Sequence, residues 1–240
     1  MRLSQILFSQ GFGTRRDCQG LALGGAVRIA GRVADDPDEE FATEGLLFEV
    51  QGREWRFQTK ALVMLNKPAG YECSRKPKHH PGVLSLLPTQ LRLRDVQPVG
   101  RLDEDTTGLL LLTDDGALIH RWTSPKHHVP KVYEIGAKHP VTDAQVAALL
   151  AGVVLDDDPV MVRAAACERS GDNSLRMTLT EGKYHQVKRM VAAAGNRVET
   201  LHRASFGALQ LPADLAPGQW RWVEAAEVQG LAPAARPGTA

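Results

Sequence analysis

The chain has 240 residues, 43% of them apolar, with 29 Lys and Arg against 28 Asp and Glu for a formal net charge of +1. That length suffices for one or two domains with a sizeable core, and the near-neutral total excludes a protein that grips nucleic acid by bulk charge alone. No apolar run approaches the ~18 residues of a membrane span and the N-terminus has no signal core, while Cys18, Cys73 and Cys167 share no CxxC spacing, which speaks against a disulfide framework or zinc site and for a reduced, cytoplasmic chain.

Charge is unevenly spread. Residues 1–32 hold Arg2, Arg15, Arg16, Arg28 and Arg32 against Asp17 alone, whereas the block Asp35-Asp36-Pro37-Asp38-Glu39-Glu40 opens an acidic strip that reads as a solvated loop. Residues 1–57 read as a small module. Leu3, Ile6 and Leu7 recur at helical spacing, Thr14 is placed to cap a second helix that Gly24-Gly25 stops, and Val27, Ile29 and the Gly31 turn look like a strand and hairpin.

From Ala61 the character changes. Leu62-Val63-Met64-Leu65 is a buried-strand candidate ended by Asn66-Lys67-Pro68-Ala69-Gly70, and residues 75–82, with His79 and His80, are loop-like. In Gly100–Gly116 an acidic cluster opens onto Leu109–Leu112, an unbroken apolar run closed by an Asp-Gly turn. Asp103 therefore sits just upstream of a rigid core strand, beside Arg101, as either a reactive carboxylate on a stiff mount or part of a solvated turn. Asp105 and Asp114-Asp115 read as turn and capping residues. Thr142-Asp143 starts a helix whose apolar face is Val146, Leu149 and Leu150 and which Gly152 ends. His185–Gly195 is the clearest amphipathic helix: Val187, Met190, Val191 and Ala194 line one face, and His185, Lys188 and Arg189 another. His127-His128 has no third ligand at a useful spacing, so no metal is expected. Residues 229–240, rich in Ala, Pro and Gly, read as a disordered tail.

Gly100-Arg101-Leu102-Asp103 followed by Thr107-Gly108-Leu109-Leu110 resembles the signature loop of the RNA pseudouridine synthases. Three further segments agree in the family's order. Leu65–Gly70 is similar to its upstream Lys-Pro motif, and Lys131-Val132-Tyr133 to its Lys-x-Tyr strand. Glu181–Met190 is similar to its late basic helix motif, followed by Leu201-His202-Arg203 and Gly207. Arg2-Leu3 and Thr14-Arg15-Arg16 resemble an S4 RNA-binding domain, although Cys18–Gly25 carries three glycines and lacks the usual basic residues. The likeness spans residues 1–224. Ser124-Pro125-Lys126-His127-His128 and Val198–Arg203 resemble the branch that modifies small-subunit (16S) ribosomal RNA.

The resemblance implies an α+β protein, with a small S4-like RNA-binding domain over residues 1–57 and a catalytic domain over 61–228 that has a mixed or antiparallel central sheet and a basic cleft. Periodicity alone supports only mixed α and β. The implied reaction breaks the C1′–N1 bond of a flipped-out uridine and rejoins the uracil through C5, without cofactor or metal. Asp103 inherits the role at C1′, either as nucleophile or in forming a glycal. A carboxylate kept from bulk water needs a neighbouring cation to stay charged, and Lys188 is the implied partner. Tyr133 would stack on the uracil, and Lys131, two residues earlier on a strand, shares its face. Arg101 would fill the gap left by the extruded base. Arg101, Lys67, Thr107, Lys131, Lys183, His185, Arg189, Leu201 and Arg203, with Arg2, Arg15 and Arg16 of the S4 module, are the implied substrate and RNA contacts. The expected partner is 16S ribosomal RNA, free or within a pre-ribosomal particle. A monomer and no membrane are expected.

Three alternatives stay open at this level. The same chemistry could act on large-subunit RNA. The chain could be a non-catalytic RNA-binding or assembly factor, against which Asp103, Tyr133 and Lys188 stand. Asp103-Glu104-Asp105-Thr106-Thr107 also fits the Asp-x-Asp-x-Thr pattern of aspartyl phosphohydrolases, but there a strand precedes the first Asp, and here it follows.

Overall fold

A computed structural model describes residues 1–156 and 158–229. Apart from Gln229, the tail expected at 229–240 lies outside the described residues. The chain forms two compact units, Met1–Ala61 with Leu87–Gln97, and Leu62–Leu86 with the chain from Pro98 onward.

In the first unit, Leu3, Ile6 and Leu7 are buried along α1 (Leu3–Ser9). A reciprocal capping box starts α2 (Arg15–Leu23): the Thr14 hydroxyl accepts the Asp17 amide, and the Asp17 carboxylate accepts the Thr14 amide at 2.8 Å. The strands β1 (Val27–Ile29), β2 (Arg32–Val33), β3 (Leu47–Val50) and β4 (Arg53–Arg56) pair antiparallel in the order β2-β1-β3-β4. Phe48, Val50 and Val27 pack on the helices around Cys18 and Ala22. The later segment carrying α3 (Thr89–Leu93) belongs to this unit because side chains tie it there. Arg94 donates to Gln10 Oε1 at 2.8 Å and to the Thr59 carbonyl at 3.3 Å. Gly11, at φ +81°, leaves room for the chain: a Cβ there would lie 2.1 Å from the Gln90 carbonyl oxygen.

The second unit begins with β5 (Leu62–Lys67), and β6 (Gln97–Pro98) marks the chain's return from the first unit. There follow β7 (Thr107–Thr113), α4 (Gly116–Thr123), β8 (Lys131–Ala137), α5 (Asp143–Ala151), the hairpin of β9 (Val153–Leu155) and β10 (Asp158–Val162), β11 (Ala166–Gly171) and β12 (Ser174–Leu179). Last come α6 (Gln186–Ala193), β13 (Val198–Phe206), β14 (Leu209–Gln210), β15 (Trp220–Trp222) and α7 (Ala225–Gln229). The central sheet runs β11-β12-β8-β13-β7-β5-β15. It is mixed: β13 and β7 pair parallel and the other neighbours antiparallel. Along β7, Leu109 and Leu111 face one core with Met64, Trp122 and Phe206, and Leu110 and Leu112 are buried on the opposite face. A strand covered on both sides needs an unbroken apolar run, which is how these four leucines read.

Two details differ from the sequence reading. Leu150 is exposed and Leu149 carries the buried face of α5. His185 lies outside α6, at its N-cap, with φ +46°. Asp115, read as a capping residue, caps α4 by accepting the amides of Ala117 and Leu118 at 3.0 and 3.2 Å.

Candidate active site

The parallel junction of β7 and β13 sets the site. His202 pairs with Thr107 and Arg203 with Gly108, and on its other side β13 pairs Arg203 with Tyr133 of β8. The junction requires glycine at position 108, φ +102°: a Cβ there would lie 2.4 Å from the Arg203 carbonyl oxygen. The Asp103–Asp105 turn therefore enters β7 beside the strands that carry Tyr133, Lys131 and Arg203. Together they line a cleft of about 390 Å³, a size that suits a nucleotide-scale ligand.

Lys67 holds the turn from below. Its side chain is fully buried, and its Nζ donates to the carbonyls of Pro68, Glu104 and Thr106 at 3.0, 2.9 and 2.8 Å. Burial pushes its pKa below the ordinary lysine value. All three ammonium protons are spent on the backbone that carries Asp103, which suits a structural turn beside the site. Thr107 is likewise structural. Its hydroxyl lies 2.9 Å from His202 Nδ1 and outside the cleft lining.

Asp103 is 29% exposed at its side chain and lies 3.3 Å from the Lys188 ammonium and 3.4 Å from His185 Nε2. The Asp103–Lys188 pair implied by the resemblance is thus present. Asp105, read as a turn residue, is the nearer partner. Its two carboxylate oxygens accept Lys188 at 2.6 and 2.8 Å. Burial works against the charge of Lys188, but the Asp105 hydrogen bond and the charges of both aspartates outweigh it and hold the pKa above the usual value. For Asp105 burial is outweighed in the same way, and its pKa is lowered.

The segment Glu181–His185 forms one wall of the cleft, braced by Gln186, which sequence reading missed. Buried Gln186 donates to Glu181 Oε1 at 2.6 Å and accepts the Lys183 amide at 2.8 Å. Arg189, expected at a phosphate, instead donates Nη1 to the Tyr184 carbonyl at 3.0 Å and does not line the cleft. Lys183 lines the cleft and pairs with Asp158. Tyr184, 67% exposed, stacks on His185 with centroids 3.8 Å apart, offering a flat aromatic face at the cleft that sequence reading had also passed over.

Tyr133 and Leu201 are buried in the cleft lining, and Arg101 is exposed at its edge. Glu72, Asp103, Glu104 and Glu181 also line it, so the cleft is more evenly charged than the basic one expected. In the first unit Arg15 and Arg16 are exposed, and Arg2 is paired with Asp38 at 3.3 Å. Among the described residues no group of three or more His, Cys, Asp and Glu is arranged to hold a metal, and no helix is long and apolar enough to cross a membrane. β7 follows Asp103, the reverse of the order that an aspartyl phosphohydrolase requires.

Comparison with known proteins agrees with this geometry. Residues 61–193 match the family described as RNA pseudouridylate synthase, and residues 1–43 match the S4 domain. An uncharacterized RNA pseudouridine synthase of Bacillus subtilis is 38% identical over 92% of this chain and 94% of its own length. Ribosomal small subunit pseudouridine synthase A of Vibrio vulnificus is 36% identical, covering 96% of this chain and 99% of that one. A crystal structure of a pseudouridylate synthase superposes with a TM-score of 0.69 at 34% identity, over 96% of this chain and 99% of that one.

Proposed function

Because the chain belongs to the RNA pseudouridylate synthase family and carries an S4 domain ahead of the catalytic one, we propose that it isomerises a specific uridine of small-subunit ribosomal RNA to pseudouridine in the cytoplasm. The single observation that carries the chemistry is the ion pair of Asp103 with Lys188, with His185 Nε2 alongside, in a cleft walled by Tyr133. The small-subunit substrate is supported by relatives such as that of Vibrio vulnificus, named for that subunit and alignable over nearly the full chain.

The roles follow from position. A uridine must leave its stack to reach the cleft, at a cost of a few kcal/mol. Arg101, exposed at the edge, is placed to fill the vacated stack. Tyr133 presents its ring to the base, and Asp103 acts at C1′, as a nucleophile or by assisting glycal formation. Lys188 orients the Asp103 carboxylate, and Asp105 holds Lys188 in place. The isomerisation is redox-neutral and rebuilds the bond within one nucleotide, so the residues at hand supply what it needs.

Carbodiimide mapping of pseudouridine in total ribosomal RNA, from cells with the unaltered protein and with Asp103→Asn, tests the proposal. Loss of one small-subunit stop is the expected result. Loss of a large-subunit stop would keep the chemistry and move the target; an unchanged map would overturn the proposal.

A further inference from the structure

Two cations of the cleft take no part in the ion pairing around Asp103. Arg203, on β13, is 2% exposed; its Nε donates to the Leu109 carbonyl at 2.8 Å, and its Nη2 is buried with no hydrogen-bond partner. Lys131, on β8, donates to the Val129 carbonyl at 2.9 Å. Each cation lies 5.5 Å from the centroid of the Phe206 ring, and both line the cleft with Tyr133. Burial, and then the charge of Arg203, push Lys131 down to about 8. Glu181 is the carboxylate whose charge reaches Lys131, but among the described residues neither cation forms an ion pair. Two like charges under one aromatic ring, one with an unused buried donor, are costly to keep unless an anion completes them.

The reaction proposed above supplies such an anion. When C1′–N1 breaks, its electron pair stays on N1 and spreads to O2 and O4. If Asp103 bonds to C1′, the carboxylate's charge is consumed and the uracil carries it instead. If Asp103 takes the C2′ proton to leave a glycal, the uracil again departs as a monoanion. C5 then attacks C1′. That step releases Asp103, or on the glycal route returns the proton to C2′, and the proton on C5 moves to N1. Resting on that reading, we infer that Lys131 and Arg203 form a cationic floor that carries the negative charge of the detached uracil while it turns. The design suits a rotating anion. A fixed set of directional donors would hold one orientation, whereas two charges in a low-dielectric pocket stabilise the anion in both.

The test uses the full-length protein and small-subunit RNA transcripts containing either uridine or 5-fluorouridine, with single-turnover C1′–N1 cleavage as the readout. Lys131→Met and Arg203→Met are expected to slow cleavage of uridine by about 10²–10³-fold, the range for removing one preorganised donor. The loss should shrink at least roughly tenfold with 5-fluorouridine, whose ring holds negative charge more readily and asks less of the floor. Lys131→Arg, which keeps the charge, should retain most of the rate, and RNA affinity should be unaltered. Half-buried Lys131 carries the test if Arg203→Met does not fold. An equal loss with both nucleosides would overturn the inference in favour of a packing role. A loss confined to affinity would overturn it in favour of a phosphate contact. If the unaltered protein converts no uridine in either ribosomal RNA, the underlying reading fails, an outcome distinct from both.

Discussion

Arg15 and Arg16 of the N-terminal unit are exposed, with Arg15 lying over the Phe8 ring at 4.8 Å, whereas Lys67 and Arg203 of the catalytic unit are buried, Lys131 is half-buried and Lys188 is clamped between two aspartates. The exposed charges are screened by salt and can serve affinity in a sequence-independent way. The buried ones feel a low dielectric, where a charge is strong, costly and specific. Even within the first unit the acidic strip engages part of the set, since Arg2 pairs with Asp38 and Arg32 with Glu39. Breaking the two kinds of cation should therefore give different kinetic signatures.

Lys188→Met should produce the largest effect after loss of Asp103 itself. It removes the cation nearest Asp103 and leaves Asp105 facing Asp103 without a shared counter-ion. A fall in kcat of about 10²–10³-fold is expected, with RNA affinity little changed. Single-turnover kinetics and filter binding on one RNA would check it, and a normal turnover rate would break the assigned pairing. The floor adds a pH signature. The charges that reach Lys131 are those of Arg203, on the neighbouring strand, and Glu181, on the adjoining wall, with Tyr133 on its own strand; burial and then Arg203 push its pKa down to about 8. Its charged form is the one below that value, so kcat/KM should be level at lower pH and fall as pH rises through about 8. Lys131→Arg should abolish that limb, since a guanidinium stays protonated throughout.

Lys67→Met sharpens the comparison from the other side, because this buried cation meets backbone. Removing it strands the carbonyls of Pro68 and Thr106 and takes one of two donors from Glu104, whose carbonyl also accepts the Gly70 amide at 3.0 Å. A loss of about 3 kcal/mol is expected, since each stranded buried acceptor costs roughly 1–3 kcal/mol. At this chain length that lowers the melting temperature by roughly 6–12 °C. Activity should fall with stability, measured by thermal melting and turnover on the same sample, because the stranded backbone is the mount of Asp103.

What was legible in the sequence was local. The Leu109–Leu112 run, the caps at Thr14 and Thr142 and the glycine stops declare themselves within a few residues, and the structure places strands and helices there. The Asp103–Lys188 pair spans 85 positions of chain and came from resemblance, not from spacing. Two features escaped for one physical reason: a polar side chain in sequence reads as surface. Asp105 reaches Lys188, and Gln186 is buried to brace a wall. The return of Leu87–Gln97 to the first unit is the same case, since it depends on Arg94 finding Gln10 across 84 residues.

The smallest effect expected is that of Arg15→Gln with Arg16→Gln. Both side chains are exposed on α2 and, among the described residues, form no ion pair, so their removal should leave the fold and the cleft intact. If they meet phosphates, each neutralised contact removed lowers the slope of log affinity against log salt by about 1, so the pair should lower it by about 2. RNA affinity at moderate salt should fall several-fold, while kcat at saturating RNA stays unchanged, because no atom of the reacting nucleotide depends on these charges. Binding measured across a salt series, alongside saturating turnover, decides it. A fall in kcat with an unaltered salt slope would mean that α2 acts on the chemistry, and the division of labour between exposed and buried cations would not hold.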